Sequence, residues 1–556
     1  MRPSLITTLA CNKHHHSINT TFLHHFVIRF RKLSLKMEAS GAGFGVAVIV
    51  IILGWCSWRI YNFLWLKPKR TEMFLRNQGL KGNSYKFFLG DFREMVKMVN
   101  DAKTKPINQK SDAIPRVLPF EHKYLSAYGK NFFTWLGPVP VVHVTEPALV
   151  KEVLTNSYEF QKPRGGDPLF KLLITGIASF DTDEWSKHRR IINPAFHAEK
   201  LKSMVPAFYK CCAEMINKWD DILKSKSSGE VDIVPYIKRM SCDVISNNAF
   251  GSSFNDGQTQ RIFDLLAELV DFVVKSKQTV YIPGSSLLPT KRNLRMKEIK
   301  RELTAMIRNV VEERLTAVKQ GEPNKEDLLG ILLESNSETI KEHGNEKSGL
   351  SIDEIIEECQ LFYVIGHETT ENFIIWTMVL LAQHPEWQTR ARDEVVQAFG
   401  KKTPDSRDAL NRLKTLNMIL NEALRLYPPA PIMPRMIYQD TKLGDMTLPA
   451  GTIINLHIML MHHDRDLWGD DVKEFKPERF SEGVSKVTKG QTSFIPFSTG
   501  PRICLALNST MLEAKMVLAM TLQHFRFELS PSYSHAPYVY VALEPQFGVP
   551  MILHKL

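Results

Sequence analysis

A run of 23 residues between Phe44 and Leu66, FGVAVIVIILGWCSWRIYNFLWL, contains a single charged residue, Arg59. As a helix it would be about 35 Å long, which is enough to cross a bilayer core of about 30 Å. Aromatic residues crowd its second half, as they do at a membrane interface: Trp55, Trp58, Tyr61 and Trp65. A buried core helix and a cleaved signal peptide are the alternatives, but the run is too long for a signal sequence and lacks a small-residue cleavage site. We predict a membrane anchor over residues 37–66.

Basic residues on both sides of this run bear on its orientation. Lys67, Lys69 and Arg70 follow it, and by the positive-inside rule they favour a cytosolic body. Residues 1–36 contain six basic residues and no acidic one, and they are rich in Ser, Thr and His, which is typical of a transit peptide. Met37, directly before the span, is however a natural start. We therefore predict that 1–36 is an upstream leader outside the working protein, with an organellar transit peptide as the alternative.

Charge and cysteine content exclude several classes of protein. The net charge of +11 falls to +5 without the six basic residues of 1–36, and no basic run is interleaved with aromatic residues. We therefore expect no nucleic-acid partner, although a mildly basic surface suits anionic lipid or an acidic protein. The seven cysteines are scattered without a CxxC pair, so neither a disulfide framework nor a zinc site is expected.

Helical periodicity dominates residues 197–400, whereas β-like runs are short and few, such as PVPVVHVT (138–145) and TIINLHIML (452–460). The polar stretch 319–348 is expected to be a loop between helices. This pattern predicts one mainly helical domain with small β-sheets behind the anchor. We assign 67–110 to a linker and the start of that domain, and 111–556 to its main part.

The stretch FIPFSTGPRICLAL (494–507) places Cys504 after a Gly-Pro turn and beside Arg502. A nearby cation favours thiolate over thiol, and so does the start of the helix predicted over 508–525. Such a loop fits a metal ligand or a nucleophile. Taken by itself, a lone cysteine is more often a small buried hydrophobic residue.

The spacing Phe497-x-x-Gly500-x-Arg502-x-Cys504 resembles the haem-binding loop of cytochromes P450. Further motifs of that family follow the expected order, beginning with Trp185-x-x-x-Arg189, whose i, i+4 spacing places both side chains on one helix face. The resemblance implies the cytochrome P450 fold, with haem b bound and Cys504 as its iron ligand. It further implies a set of residues that hold the haem and its propionates: Trp185, Arg189, Arg435, Phe497 and Arg502.

Two more motifs carry the resemblance. In LFYVIGHETTENFIIWTMVLLA, polar residues interrupt an apolar helix, and the resemblance makes Glu368 and Thr369 an acid–alcohol pair that passes protons to the oxygen site. A kink with satisfied hydroxyl groups is the structural alternative. In LNEALRLYPPAPIMPR and EFKPERF, the resemblance joins three residues into a buried network that braces the haem loop: Glu422, Arg425 and Arg479.

The finer resemblance is to plant members of the 72 clan, on stretches such as QGLKGNSYKFFLGD and MLEAKMVLAM. It implies a monooxygenase of the endoplasmic reticulum that oxidises a lipophilic small molecule. A terpenoid is the first expectation, and a fatty acid or hormone is the alternative. The chain contains no GxGxxG unit, so electrons are expected from NADPH through a separate cytochrome P450 reductase.

Four positions depart from the family pattern. Ile365 stands where a small residue usually faces the haem, and Ala506 stands where glycine lets the helix approach it. His367 and Leu507 are also unusual for the clan. Ile365 is therefore expected to line the substrate pocket and to crowd it. These departures sustain two rival interpretations, namely a haem-binding but catalytically degenerate paralogue and an isomerase or lyase of the same fold.

Overall fold

The structure is a computed structural model that describes residues 41–556 apart from 165–167, 225, 254–255, 277–283 and 405. The predicted leader 1–36 and the predicted start at Met37 lie outside the described residues. The chain divides into two compact units, and the division falls between Arg70 and Thr71.

The first unit contains the apolar helix α1 (Gly41–Tyr61), which is followed by one π-helical turn, Asn62–Leu66. The helical run Gly45–Asn77 is long and apolar enough to cross a membrane, and none of its most apolar window is buried within the protein. Large hydrophobic side chains such as Ile49 and Leu53 are exposed along it. Such a continuous apolar surface needs a nonaqueous partner, which fits the anchor that the sequence predicts.

Residues 67–110 were assigned to a linker and the start of the domain, and their first part is helical as α2 (Lys67–Asn77). Pro68 lies inside the continuous helical run Gly45–Asn77, directly after the π-helical turn Asn62–Leu66. Proline lacks a backbone N–H, so one helical hydrogen bond is missing at this point, but the helix continues to Asn77.

Helices make up most of the second unit. In chain order they are α3 (Phe92–Lys103), α4 (Ile114–Val117), α5 (Pro119–Tyr128), α6 (Pro147–Thr155), α7 (Thr182–Ile192), α8 (Ala198–Leu223), α9 (Val234–Phe250), α10 (Gly257–Ser276), α11 (Lys291–Lys319), α12 (Leu328–His343), α13 (Ile352–Gln383), α14 (Pro385–Phe399), α15 (Arg407–Asn411), α16 (Lys414–Leu426), α17 (Ile458–His462), α18 (Arg465–Trp468), α19 (Val484–Val487) and α20 (Leu507–His524). Short 3-10 turns lie between them at Pro168–Leu172, Gly176–Ala178, Asn193–Phe196, Ser285–Leu287, Glu346–Ser348, Pro477–Phe480 and Gly500–Arg502.

Four small sheets complete this unit. The largest has the strand order β1 (Lys81–Gly82), β2 (Asn131–Leu136), β3 (Val139–Val144), β8 (Ile453–Leu456) and β5 (Met433–Met436). The other sheets contain β4 (Ser228–Asp232), β12 (Pro550–Lys555) and β9 (Phe525–Leu529); β6 (Thr441–Leu443) and β7 (Met446–Leu448); and β10 (Pro537–Val539) and β11 (Leu543–Pro545). The β-like runs 138–145 and 452–460 supply β3 and β8, which pair in parallel with Val141 opposite Ile453.

The polar stretch 319–348 is not a single loop, because it contains α12. The Asp327 side chain caps this helix by accepting a hydrogen bond from the Gly330 backbone N–H at 2.8 Å, and it also pairs with buried Arg314 at 2.6 Å. Leu329 and Leu332 then pack into the core. Burial of these leucine residues against the core stabilises α12, although most of the surrounding stretch is polar.

Helix α13 is the longest helix described, at 32 residues. Its start is fixed by a capping box, in which the Ser351 hydroxyl accepts from the Glu354 N–H and the Glu354 carboxylate accepts from the Ser351 N–H. Within the core, α13 packs against α9, α16 and α20, while α8 packs against α9 and α20. Trp219 and Trp376 are fully buried in this helical group. The prediction of a mainly helical domain with small sheets is confirmed.

Candidate active site

A cavity of about 490 Å³ lies between α13 and the loop that precedes α20. Most of its wall is apolar, including Phe208, Ile245 and Phe373. The predicted site residues that line it are Trp185, Arg189, Ile365, Thr369, Arg435, Phe497, Arg502 and Cys504. Segments that are more than 300 residues apart in sequence therefore converge on one chamber.

The Cys504 loop is held by its own backbone. Cys504 donates its N–H to the Phe497 carbonyl oxygen at 3.0 Å, which closes the loop between the two. Gly500 has a φ of 72°, and a Cβ there would lie 2.7 Å from the Leu154 carbonyl oxygen. Only glycine fits this conformation and this approach. The loop leads directly into α20, which begins at Leu507, so the predicted helix 508–525 is confirmed within one residue at each end.

The Cys504 thiol is accessible from the cavity, but the surrounding protein raises its pKa by burial. Backbone N–H groups of Ala506 and Leu507 and the charge of Arg189 act in the opposite direction and favour the thiolate. We expected Arg502 to supply the nearby cation. Arg189 does so instead, and it also donates to the Ile503 carbonyl oxygen at 2.7 Å.

Arg502 is turned toward a different part of the cavity. Its guanidinium group pairs with buried Asp181 at 2.6 Å and lies over the Trp185 ring, 4.7 Å from the ring centroid. Two of its nitrogen atoms, Nε and Nη1, are buried and have no hydrogen-bond partner among the described residues. Such buried donors need acceptors, and because Nε–H and Nη1–H point to opposite sides of the guanidinium group, they need two separate acceptor oxygen atoms.

Two further cations share this region. Arg435 is buried, and burial together with the charge of Arg502 lowers its pKa to about 10. Lys162, which the sequence analysis missed, lines the cavity and donates to the Ala178 carbonyl oxygen. Burial lowers its pKa to about 7, and the neighbouring charges of Arg502 and Arg435 act in the same direction. Asp181 is their common counter-ion, so positive charge exceeds negative charge here.

These residues fit haem. The cavity offers an apolar chamber with a thiol on one wall, and the cations Lys162, Arg435 and Arg502 can receive the two propionates. The two nitrogen atoms of Arg502 support this fit most directly, since they are buried on a residue that lines the chamber and have no hydrogen-bond partner among the described residues. Only the sequence context FQKPRGG hinted at Lys162, as a lysine next to buried Phe160.

Helix α13 forms the opposite wall. The Thr369 hydroxyl donates to the Ile365 carbonyl oxygen at 3.1 Å, so the helix is not broken at this point. A Cβ at Gly366 would lie 2.7 Å from the Ile245 side chain, so glycine is needed here for close packing on α9. Ile365 is 39% exposed and faces the cavity, whereas His367 is buried and bonds the Tyr363 carbonyl oxygen. The unusual histidine therefore lies away from the chamber.

Two buried carboxyl groups lie one helical turn apart behind Thr369. Burial raises the pKa of Glu368 to about 7 and that of Glu371 to about 8. The charge of Lys238, on the neighbouring helix α9, opposes both shifts, and one oxygen of each carboxyl group is buried without a hydrogen-bond partner among the described residues. Glu371 and Lys238 were not predicted. Their signal was a second acidic residue at i+3 on an otherwise apolar helix.

The three residues of the predicted network lie together. The Glu422 carboxylate accepts from Arg425 at 2.7 and 2.8 Å and from Arg479 at 3.4 Å, and it also accepts the Lys476 backbone N–H. Arg425 donates in addition to three backbone carbonyl groups, those of His462, Val472 and Glu474. Glu422 and Arg425 are fully buried. The arrangement satisfies every charge, as a buried ionic network must.

The remaining departures have different surroundings. Ala506 lines the cavity with a φ of −88°, which any residue adopts, so its methyl group adds little volume and no backbone strain. Leu507 does not line the cofactor chamber and faces another cavity behind the loop.

Comparison with known proteins gives the family. The cytochrome P450 family model matches residues 117–538. Cytochrome P450 CYP72A219 of Panax ginseng is 52% identical over 526 residues, covering 94% of this chain and all of the relative. Cytochrome P450 72A13 of Arabidopsis thaliana is 50% identical over 521 residues, and secologanin synthase 1 of Catharanthus roseus is 47% identical over 526 residues; both matches cover 94% of this chain and all of the relative.

The chain belongs to the cytochrome P450 family, and within it to the plant 72 clade. It is a monooxygenase, and the family implies a haem cofactor and a redox partner. The predictions of the family, the fold class and the enzyme class are confirmed. The rival interpretation as an isomerase or lyase finds no support in these relatives.

The buried carboxyl groups predict how stability depends on pH. Because the pKa of Glu371 is about 8 in the folded protein and near 4.5 when unfolded, the folded protein holds an extra proton between these values. Raising the pH from 5.5 to 7.5 should therefore destabilise wild-type protein more than Glu371→Gln, by on the order of 1 kcal/mol per pH unit. Urea midpoints at three pH values measure this. The control is Glu199→Gln, at an exposed carboxylate, whose urea midpoints should depend on pH as those of wild type do. If the midpoints of Glu371→Gln and of wild type changed equally with pH, the prediction would be contradicted.

Proposed function

We propose that this monooxygenase is a membrane-anchored enzyme that oxidises a lipophilic terpenoid, with electrons delivered from NADPH by a separate reductase. The observation that carries the proposal is the convergence of Cys504, Thr369 and Ile365 on one largely apolar chamber. Haem-thiolate oxidation of a lipophilic molecule requires a thiol for the iron, a hydroxyl group for proton transfer and an apolar wall for the substrate, all in one chamber.

Cys504 would hold the iron as thiolate, with Phe497 closing the loop and Arg189 and two backbone N–H groups stabilising the negative charge. Trp185, Arg435 and Arg502 would hold the propionates together with Lys162. When bound, the haem supplies the activation of dioxygen that no side chain provides. The network of Glu422, Arg425 and Arg479 would brace the segments next to the loop.

Protons would reach the chamber through Thr369 and Glu368. Thr369 lines the chamber, and Glu368 directly precedes Thr369 on α13, where the charge of Lys238 acts to lower the Glu368 pKa. A carboxyl group with a pKa of about 7 can both give and take a proton near neutral pH, which is the requirement for a relay. Glu371 adds a second carboxyl group one turn further along α13.

The electron donor and the location follow from the anchor. Lys67, Lys69 and Arg70 follow the apolar helix and favour a cytosolic catalytic domain on the endoplasmic reticulum. A membrane-bound, NADPH-dependent cytochrome P450 reductase would then share the same surface. We assign residues 37–66 to the anchor, 67–110 to the connection and the first part of the domain, and 111–556 to the rest of the haem domain.

A terpenoid is favoured over a fatty acid or hormone because one relative carries the name secologanin synthase, and secologanin is a terpenoid product. The apolar wall of the chamber suits such a molecule, and Ile365 narrows it on the α13 side. Retention of Cys504, Glu368 and Thr369 in one arrangement argues against a degenerate paralogue.

The first test is the reduced carbon-monoxide difference spectrum of full-length protein in membranes. Wild type should give the Soret band of thiolate-ligated haem, and Cys504→Ser should lose it completely, because serine offers no thiolate. Cys359→Ser, at a buried cysteine outside the chamber, is the matched control and should keep the band. A wild-type protein that is folded but gives no such band would sink the proposal in favour of the degenerate paralogue.

Thr369→Ala should keep the thiolate band but reduce product formed per NADPH by about tenfold, because the hydroxyl group of the relay is lost. The same ratio should fall in wild type as the pH rises above about 7, where Glu368 loses its proton. Thr316→Ala is the matched control, because the Thr316 hydroxyl donates to its i−4 carbonyl oxygen in the same way at an exposed position on α11. It should change neither the thiolate band nor the product formed per NADPH. Full coupling in Thr369→Ala would refute the relay.

Ile365→Ala should widen substrate acceptance, because it removes a branched side chain that faces the chamber. The measurement is turnover of a panel of iridoid monoterpenoids, triterpenoids and fatty acids with reductase and NADPH. Val364→Ala, at a buried neighbour that does not line the chamber, should leave the product pattern unchanged. Turnover of fatty acids without any terpenoid product would contradict the proposed substrate class.

A further inference from the structure

A second cavity, of about 450 Å³, lies against the loop that carries Cys504. It is enclosed by α15, α16 and the first turns of α20. Four loop residues line both this cavity and the cofactor chamber: Pro496, Phe497, Ser498 and Ile503. The loop is therefore a common wall, and anything bound in the second cavity touches the segment that holds the predicted iron ligand.

Most polar side chains of this cavity have no partner among the described residues. Besides Ser498, whose hydroxyl group donates to Met433 Sδ, six can donate hydrogen bonds: Arg407, Asn411, Asn417, Asn421, Asn508 and Lys515. None of the six has a side-chain hydrogen bond or an ion pair with another residue in the part of the chain that the structure describes. No acidic residue is among the described residues that line the cavity. The lining is thus a set of free donors with two positive charges.

Lys515 is the most unusual member of this set, because it is only 5% exposed. Burial lowers its pKa, and only the charge of Glu394 acts against that shift. The Glu394 carboxylate is itself engaged by the backbone N–H groups of Thr415 and Leu416. The side-chain stem is buried, whereas the ammonium nitrogen stays accessible from the cavity and can bind an anion or water there.

We propose that this cavity binds a small organic oxyanion, a compact molecule with one phosphate or carboxylate group and an apolar body. Lys515 and Arg407 would take the charged oxygen atoms, and the asparagine amides would donate to those that remain. The apolar part would lie against Phe494, Met511 and Leu512, which form the rest of the wall. A volume of this size is within the range of small-molecule sites.

The test uses full-length, haem-loaded protein in nonionic detergent, with an azole on the iron so that the cofactor chamber is closed to the probe. Radiolabelled phenyl phosphate is the probe in equilibrium dialysis, and inorganic phosphate and phenol are its two halves. We expect saturable binding of one equivalent of phenyl phosphate and at least tenfold weaker competition by either half. Equal competition by phenol would overturn the anion site, and equal competition by inorganic phosphate would overturn the apolar part.

Lys515→Met should weaken phenyl phosphate binding at least tenfold, whereas Lys515→Arg should largely restore it. Lys319→Met, at an exposed lysine on α11, is the matched control and should bind as wild type does. Asn421→Leu removes a second donor at a partly buried position and should weaken binding severalfold, so the test does not depend on Lys515→Met folding. Wild-type affinity in both cavity variants, or no saturable binding by wild type, would mean that the cavity holds water only and would overturn the proposal.

Discussion

The hydrogen bonds that the buried Glu422 carboxylate accepts hold together the segments that precede the Cys504 loop. This carboxylate joins Arg425 on the same helix to Arg479 and to the Lys476 backbone, more than fifty residues further along the chain. Arg425 extends the same connection to three carbonyl groups of the segment 462–474. Loss of one partner in a fully buried charge network is costly, so these hydrogen bonds hold the largely irregular stretch 462–479 in one conformation. The thiolate loop at 494–507 follows directly from it.

Charge is distributed unevenly around the cofactor chamber. On one side, Lys162, Arg435 and Arg502 share the counter-ion Asp181, and Glu358 also acts on Lys162. On the α13 side, Glu368 and Glu371 face one lysine, Lys238. The first arrangement stabilises an anionic cofactor, and the second keeps protons bound near neutral pH. One apolar chamber thus separates a region that attracts negative charge from a region that stores protons.

The fold class could be predicted because the haem-loop spacing is specific and the other motifs follow it in order, and most of the predicted site residues line one cavity. What could not be predicted depends on contacts between distant segments. Arg189, rather than the adjacent Arg502, lies beside Cys504, since Arg502 is drawn to Asp181 and Trp185. Helix α12 was not predicted because its few apolar residues stand among many charged ones, and the sequence does not tell which of them are buried. Lys162 and Lys238 carry only a weak local signal, because their importance arises from what packs around them.

The order of the cofactor residues along the chain has a consequence for synthesis. Lys162, Trp185 and Arg189 come first, Thr369 and Arg435 follow, and Cys504 comes last. Chains emerge from the ribosome with their N-terminal parts first. Lys162, Trp185, Arg189 and the α13 wall are therefore synthesised well before the proposed iron ligand, whereas Arg502 is synthesised together with it. A chain cut short after α16 lacks Arg435, Arg502 and Cys504, so we expect it not to hold the cofactor.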